Sequence, residues 1–361
     1  MEDRAFAPAI RSTRREDWIT VLTSLWLIIG VFVDAYKHST DPGLESFWTP
    51  WHALFYSGFL ASSGWLIALT WRRWDGRGSF VAAAPLGHRP GLYGIGIFAL
   101  GGAGDAVWHE LLGVETSLDA LLSPTHLLLF IGALAITSTP LRAAWLDGHG
   151  PTTPTLAQLG PALMSVTLAT SFVAFFFEYA WAPASAWAPR STFVPDGDFG
   201  ELPAAYGVIS VVVTVMVLMG PLLLLARRWT LPFGFVTVFS TTVTLLITVG
   251  FDEDPAGLLP AFVAGATGDL LLLRFGRRAM AAGMPFVLLA SFYGVVAITE
   301  PGIGWPPEIW GGAIFFGVLT AVAIEGAMTT VARLAGDRPT RQGDETPPGE
   351  DSRVSPSRSS P

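Results

Sequence analysis

Ten apolar stretches, each long enough to form a membrane-spanning helix, account for most of this 361-residue chain. A helix needs about 20 mostly apolar residues to cross a bilayer. The stretches cover residues 18–36, 50–71, 91–112, 124–145, 156–180, 203–225, 231–251, 256–273, 283–299 and 307–334. The pattern predicts an all-α, polytopic membrane protein of about ten transmembrane helices arranged as five helical hairpins.

The eighth and tenth stretches are the weakest of the ten. The eighth contains Asp269 and the tenth contains Glu325. Both acids lie toward the helix ends that carry Arg274 and Arg333, so we expect them to reach the interface or to pair with these arginines.

Most arginines fall in every second loop of the pattern and set the expected orientation, whereas the intervening loops hold few cations, chiefly Lys37 and Arg190. The arginines of the alternate loops are Arg11, Arg14, Arg15, Arg72, Arg73, Arg77, Arg89, Arg142, Arg227, Arg228, Arg274, Arg277, Arg278 and Arg333. Because positive loops stay in the cytoplasm, both termini are predicted to be cytoplasmic, with residues 1–17 as an N-terminal segment and 18–335 as the transmembrane domain. The first apolar run lacks a small-residue cleavage site and is expected to remain as a helix. Residues 336–361 are poor in apolar side chains and are expected to form a disordered cytoplasmic tail.

Composition supports this class of protein and excludes several chemistries. Hydrophobic residues make up 51% of the chain, charged residues 14%, and the mean hydropathy is +0.49. The absence of Cys excludes disulfides, thiolate metal sites and thiol catalysis. Basic residues form no patch of the kind that binds nucleic acid. Any metal must therefore be held by His, carboxylate, Met or backbone oxygen.

An internal repeat within residues 31–130 carries most of the polar chemistry. VFVDAYKHSTDPGLESFWTPWHALFYSGF, from Val31, aligns with GAGDAVWHELLGVETSLDALLSPTHLLLFIGAL, from Gly102. Each copy places Asp and His four residues apart at the end of one helix, and a second His in the first turn of the next helix. Thr49 or Ser123 suits the N-cap, and Pro50 or Pro124 suits the first helical position.

Each copy offers a carboxylate and two imidazoles at one rim of a helical hairpin. We interpret Asp34, His38 and His52 as one candidate metal-binding triad, and Asp105, His109 and His126 as the other. Nitrogen and oxygen ligands without thiolate suit copper or zinc, so one or two such ions are predicted, with either Asp acting as a ligand or as an acceptor that orients an imidazole. Duplicated capping or gating networks are the structural alternative.

The later hairpins are similar to the repeat, but more weakly. They place a carboxylate near the outer end of a helix and give the secondary candidates Glu178, Asp252, Asp254, Glu300 and Glu308. Ionisable groups are costly near a bilayer, so their accumulation on one rim favours a functional role.

At these residues the chain resembles the C subunit of the copper membrane monooxygenases, the methane- and ammonia-oxidising enzymes. By position, Asp34, His38 and His52 match the first copper triad of that family, and Asp105, His109 and His126 match the second. The resemblance covers about the first third of the chain and implies copper and an oxidoreductase subunit. Asp105 stands where the family has Asn, the loop before His126 is longer, and about four further helices follow. The same features are also compatible with an uncharacterised bacterial polytopic membrane family that shares the segments WHELLGVE and SPTHLLLF.

Three other functions remain open from the sequence. The four histidines could serve as axial ligands in a haem-binding electron carrier, the rim acids could line a cation or proton transport route, or the chain could deliver copper to an oxidase as an assembly factor. The expected partners are the lipid bilayer and either other membrane subunits or a homo-oligomer, with no nucleic acid. The expected location is a bacterial plasma membrane, with the metal site on the extracytoplasmic face.

Overall fold

The computed structural model describes residues 10–41, 48–113, 118–147, 154–195 and 199–335, and these residues contain helices and no strand. The α-helices are α1 (Arg14–Thr40), α2 (Pro50–Trp71), α3 (Arg89–Leu112), α4 (Leu118–Leu122), α5 (Pro124–Thr137), α6 (Thr139–Asp147), α7 (Leu156–Phe176), α8 (Trp187–Arg190), α9 (Leu202–Arg228), α10 (Phe235–Gly250), α11 (Leu258–Phe275), α12 (Arg277–Ile298) and α13 (Pro307–Leu334). Short 3₁₀ helices cover Phe80–Ala83, Glu178–Ala180 and Pro255–Gly257. The all-helical class predicted from the sequence is confirmed. The predicted segments 1–17 and 336–361 lie partly and wholly outside the described residues.

Within the described part of the chain, seven single helices are long and apolar enough to cross a membrane, or up to eight if α5 and α6 form one bent span. The spans that contain Asp269 and Glu325 are among the seven. Of the ten predicted stretches, the two that form α3 and α10 are not long and apolar enough to be counted among these spans. The polar residues of GGAGDAVWHE lower the apolarity of α3, and the 16 residues of α10 extend only about 24 Å at 1.5 Å per residue, less than the ~30 Å hydrocarbon core.

Large apolar side chains on the outer surface of the bundle support a membrane environment. Leu22, Leu60, Leu100, Ile209 and Phe315 are all exposed on different long helices. Soluble monomers rarely expose apolar surface on this scale. The chain is consistent with a multi-pass membrane protein.

The predicted stretch 124–145 is one helix in the sequence pattern but two in the structure. α5 and α6 meet at a bend of 44°, next to Pro140, which has no N–H to continue the helical hydrogen bonds. The Arg142 guanidinium donates to the Ala135 carbonyl at 2.6 Å and to the Gly87 carbonyl at 3.1 Å. These bonds satisfy carbonyl groups near the break.

Both intramembrane acids bind partners other than the expected arginines. Asp269 accepts hydrogen bonds from the backbone N–H groups of Val236, at 3.1 Å, and Thr237, at 2.9 Å, so it caps the start of α10 from α11. Glu325 lies 3.4 Å from the Arg277 guanidinium. The pairing with Arg274 and Arg333 was therefore wrong, and both acids have structural roles.

Two close helix contacts set the geometry of the repeat. α1 packs against α2, and α3 packs against α5. A Cβ placed on Gly58 would lie 2.6 Å from the Leu27 Cα, and one placed on Gly132 would lie 2.6 Å from the Phe98 backbone nitrogen. Glycine therefore allows each helix pair to approach backbone to backbone, as small residues do in membrane helix pairs.

α7 lies at the centre of the bundle and is almost entirely buried. It contacts α1, α5, α6 and α10, whereas α9 packs chiefly against α13. The C-terminal turn of α7 and the end of α10 lie against the ends of the repeat helices, and this arrangement closes the cavity described below.

Candidate metal centre

The first triad assembles where α1 ends and α2 begins. Asp34 and His38 lie one turn apart near the end of α1, and their Oδ2 and Nε2 atoms are 3.7 Å apart. His52 lies in the first turn of α2, with Nε2 3.5 Å from the same Asp34 oxygen. Both imidazoles therefore direct Nε2 toward one carboxylate, as the repeat predicted.

The second triad repeats this arrangement where α3 ends and α5 begins. Nε2 of His109 is 3.5 Å from Asp105 Oδ2, and Nε2 of His126 is 3.3 Å from Asp105 Oδ1. Asp105 is the most buried member, with a side chain only 1% exposed. The structure thus brings together all six residues predicted as primary ligands, three in each group.

The spacing within each triad suits a metal ion better than direct hydrogen bonding. Bonds of about 2.0–2.1 Å in a tetrahedral site place neighbouring ligand atoms about 3.3 Å apart. The nitrogen–oxygen separations of 3.3–3.7 Å lie near this value and beyond the usual 2.7–3.2 Å range of N–H···O hydrogen bonds. One ligand atom from each of the three residues lies within 4.8 Å of the other two in both groups.

A hydroxyl group at each helix N-terminus orients the second histidine of its triad. The Thr49 hydroxyl caps α2 and lies 3.0 Å from Nδ1 of His52, and the Ser123 hydroxyl caps α5 and lies 2.6 Å from Nδ1 of His126. An imidazole that donates its Nδ1 proton to such an oxygen keeps the Nε2 lone pair free for a metal. The two N-caps predicted from the sequence are confirmed.

The carboxylates of the two triads have different surroundings. Asp105 Oδ1 accepts a hydrogen bond of 3.1 Å from the Thr125 hydroxyl, which lies 3.2 Å from the Ser123 hydroxyl. Asp34 Oδ1 is buried and has no hydrogen-bond partner among the described residues. A buried, unpartnered carboxylate oxygen is costly unless a cation neutralises it, which favours an ion at the first triad.

The two triads face one cavity of about 360 Å³. His52 of the first triad and His109 of the second have ring centroids 6.3 Å apart. Four carboxyl groups line the cavity, and no Lys or Arg among the described residues does. The cavity therefore concentrates negative charge and favours cations.

Aromatic rings form much of the remaining wall. They come from α2, α3, α7, the 3₁₀ helix after α7 and the residue after α10, and are Phe55, Phe98, Phe172, Phe175, Phe176, Tyr179 and Phe251. An apolar wall lowers the local dielectric and strengthens electrostatic interactions with any bound ion.

Two glutamates lie on the cavity wall beyond the triads. Glu178 begins the 3₁₀ helix after α7, and Glu253 lies in the loop after α10. Each carboxyl group influences the ionisation of the other. Burial, together with the neighbouring Glu253 carboxyl, raises the pKa of Glu178 to about 7, and burial also raises the pKa of Glu253.

Glu253 is the cavity residue that the sequence reasoning missed. It lies in the acidic run Asp252, Glu253, Asp254, of which only the first and third were secondary candidates. Asp252 adopts a left-handed conformation with φ of 55° and is exposed, whereas Asp254 binds the Arg190 guanidinium and caps the following turn through Ala256. The acidic run indicates a polar site, but the conformation of the turn determines which of its three acids faces the cavity.

The other secondary candidates separate in the structure. Glu178 lines the cavity, whereas Asp254 is engaged with Arg190. Asp252, Glu300 and Glu308 are exposed and lie outside the cavity lining. The acids at the later helix ends therefore do not repeat the Asp/His/His arrangement along the rest of the rim.

Replacing Thr49 by valine is expected to weaken metal binding at the first triad by about 10- to 100-fold, because it removes the hydroxyl group that lies 3.0 Å from Nδ1 of His52. The lost N-cap is expected to cost about 1 kcal/mol of stability. Competition with a chelator of known affinity measures the first effect. Thr49→Ser should restore binding, and wild-type affinity in Thr49→Val would show that the hydroxyl does not orient the ligand.

Comparisons with family models, curated proteins and solved structures give no match to this chain. The class defined by fold and geometry is an all-helical protein with several membrane-capable helices and two Asp/His/His groups at metal-ligand distance.

Proposed function

We propose that this chain is a multi-pass membrane protein that binds two transition-metal ions, copper or zinc, one at each Asp/His/His triad. The observation that carries the proposal is the convergence of two imidazoles on one carboxylate at 3.3–3.7 Å, twice, in one cavity. Three protein ligands leave at least one coordination position for a small molecule from the cavity. Such ions would supply Lewis-acid or redox chemistry there.

We further propose an orientation with about ten spans in five hairpins, both termini in the cytoplasm, and the triads on the extracytoplasmic face of a bacterial plasma membrane. The triads lie at the helix ends opposite those that carry the arginines, for example opposite Arg14 and Arg15 on α1 and Arg72 after α2. The positive-inside rule supports this orientation. In it, α3 and α10 also cross the bilayer, with apolar side chains such as Leu100 and Val238 on their exposed faces.

An oxidoreductase role as a monooxygenase-like subunit is the function that the site supports best. The chain's own residues would hold the ions, keep Nε2 of His52 and His126 deprotonated through Thr49 and Ser123, and exclude bulk water through the aromatic wall. The ordered resemblance of the two triads to the copper membrane monooxygenases favours copper within this proposal.

Haem binding is less well supported by the geometry. In each triad an Asp oxygen lies within 3.7 Å of Nε2 of both histidines. A porphyrin between two axial imidazoles would need that space. A Soret band in the purified protein would nevertheless contradict the bare-ion proposal.

Elemental analysis of the detergent-purified protein tests the proposal. The two groups predict about two ions per chain in the wild type and almost none in a His38→Ala, His109→Ala double variant. Glu308→Gln changes an exposed carboxylate outside the cavity and should keep the wild-type content. A double variant that keeps both ions would overturn the assignment of the triads.

A further inference from the structure

An apolar groove lies at the surface where the two copies of the repeat meet, between α2 and α3. Pro50, Ala53 and Tyr56 of α2 line it on one side, and Gly102 and Ala106 of α3 line it on the other. Almost none of its surface is polar. Because α2 and α3 contact each other much less than α2 contacts α1 or α3 contacts α5, the groove lies along a loosely packed line between the two helix pairs.

The groove opens toward the outer surface of the bundle, where apolar side chains are exposed. Ala53 is exposed and is followed by the exposed Leu54, and Ala106 is followed by the exposed Val107. In a protein that crosses a bilayer, apolar surface of this kind contacts lipid. The groove is therefore accessible to apolar molecules dissolved in the membrane.

One side chain lines both the groove and the metal cavity. His52 is part of the lining of each, and its side chain is only 8% exposed. The centroid of the Tyr56 ring lies 6.5 Å from that of the His52 ring. Tyr56 also lies against α3, since a Cβ placed on Gly102 would be 2.9 Å from the Tyr56 Cε1 atom. A thin layer of side chains, formed by His52 and Tyr56, therefore separates the groove from the cavity.

The cavity behind this layer has the size and lining of a small-molecule site. Such sites measure about 300–1,000 Å³ and combine an apolar or aromatic wall with a few polar groups. The cavity measures about 360 Å³ and has that kind of wall beside the two triads. A dry apolar cavity of about 150 Å³ holds benzene, so this cavity has room for an apolar molecule of about twice that size.

The charge of the cavity restricts which molecules fit. Two divalent ions at the triads would balance the four carboxyl groups of the cavity when these are ionised, and no Lys or Arg among the described residues lines it. An anionic ligand would therefore enter an apolar space without a spare cation to pair with, which is costly. A neutral molecule avoids that cost.

We propose that the cavity binds a neutral, largely apolar molecule about twice the size of benzene, which enters from the bilayer through the groove between α2 and α3. Entry requires the Tyr56 side chain to move away from Gly102, and the molecule then lies against the aromatic wall beside both triads. Its role as the substrate of the bound ions rests on the proposed function, whereas its binding in the cavity does not.

Fluorine NMR of the metal-free, full-length protein in lipid nanodiscs tests the binding, with fluoronaphthalene as the probe and empty nanodiscs as the background. The wild type should bind the probe saturably, because two fused rings match the cavity in size. Ala35→Leu and Val31→Phe enlarge side chains that line the cavity on α1, and each should weaken binding by about tenfold or more. Leu60→Phe changes an exposed residue of α2 outside the groove and should bind the probe as the wild type does.

An anionic analogue of the probe tests the selectivity for neutral molecules. Fluoronaphthoate should bind the wild type at least about tenfold more weakly than fluoronaphthalene. Thermal unfolding identifies a cavity variant that has lost its fold, and the other variant then decides. The absence of saturable binding in the wild type, equal affinity for the two probes, or unchanged affinity in the folded cavity variants would overturn the proposal.

Exchange rates of the bound probe, measured by saturation transfer, test the route. Ala106→Trp fills the groove outside the cavity, and it should slow both association and dissociation by about tenfold or more while the dissociation constant stays the same. Tyr56→Ala should speed both rates, because it removes the ring that lies against Gly102. Wild-type rates in both variants would contradict entry through the groove.

Metal content separates failure of this inference from failure of the proposed function. A wild type that binds two ions but not the probe would contradict this inference alone. A wild type that binds the probe but no ion would contradict the proposed function and leave the apolar site standing.

Discussion

Replacing Asp105 by alanine should lower metal affinity at the second triad by more than about 100-fold, since changes to groups that only orient metal ligands already cost 10- to 100-fold. Asp105 lies within 3.5 Å of Nε2 of both His109 and His126, and it supplies the only carboxylate of its triad. Its removal leaves two neutral imidazoles without a charged ligand. Titration with Cu(II) or Zn(II) against a chelator should show one tight site in place of two.

The two triads serve as each other's controls in this experiment. Asp34→Ala should remove the first site and leave the second, because each carboxylate lies within 3.7 Å of Nε2 of both histidines of its own triad. Asp105→Asn should bind more tightly than Asp105→Ala, since the amide oxygen still offers a ligand without the charge. Loss of both ions from either Asp→Ala variant would show one joint site, contrary to two separate triads.

Replacing Gly58 by leucine should separate α1 from α2 and abolish metal binding at the first triad. A Cβ on Gly58 meets backbone atoms of Leu27 at 2.6 Å, so the helices must move apart to admit a side chain. Overpacking of this kind costs about 1–3 kcal/mol or more. Asp34 comes from α1 and His52 from α2, so a shift of about 1 Å between the helices disrupts their shared ligand geometry.

The matched control lies on the same helix. Gly64 has open space around its Cβ position and is exposed, so Gly64→Leu should keep both the stability and the metal content of the wild type. Thermal unfolding in detergent and metal content measure the two effects. The second triad should survive in Gly58→Leu, because Gly132 maintains the separate contact of α5 with α3. Full occupancy of the first triad in Gly58→Leu would show that close packing does not position its ligands.

The repeat explains why so much of the site follows from sequence. Helical spacing places Asp34 with His38 and Asp105 with His109 on one face, and the Thr-Pro and Ser-Pro pairs start the next helices so that the second His falls in the first turn. Local rules of this kind determine each half of a triad. The close contact within each helix pair then brings the Asp and first His of one helix to the second His of the next.

Features that depend on distant contacts could not be inferred in the same way. The sequence does not reveal that His52 and His109 lie side by side or that Glu253 turns inward beside Glu178, because both depend on how α7 and α10 pack against the repeat. The apolar pattern likewise did not predict the break at Pro140, and it predicted a longer helix than α10. Hydrophobicity alone does not show where a helix bends or ends.

X-ray absorption at the metal edge of the copper- or zinc-loaded protein tests the two triads most directly. The geometry predicts a first shell of nitrogen and oxygen at about 2.0–2.2 Å with the scattering pattern of about two imidazoles per ion, in a chain that contains no Cys. A shell of oxygen alone, or one without imidazole scattering, would contradict metal binding by these triads.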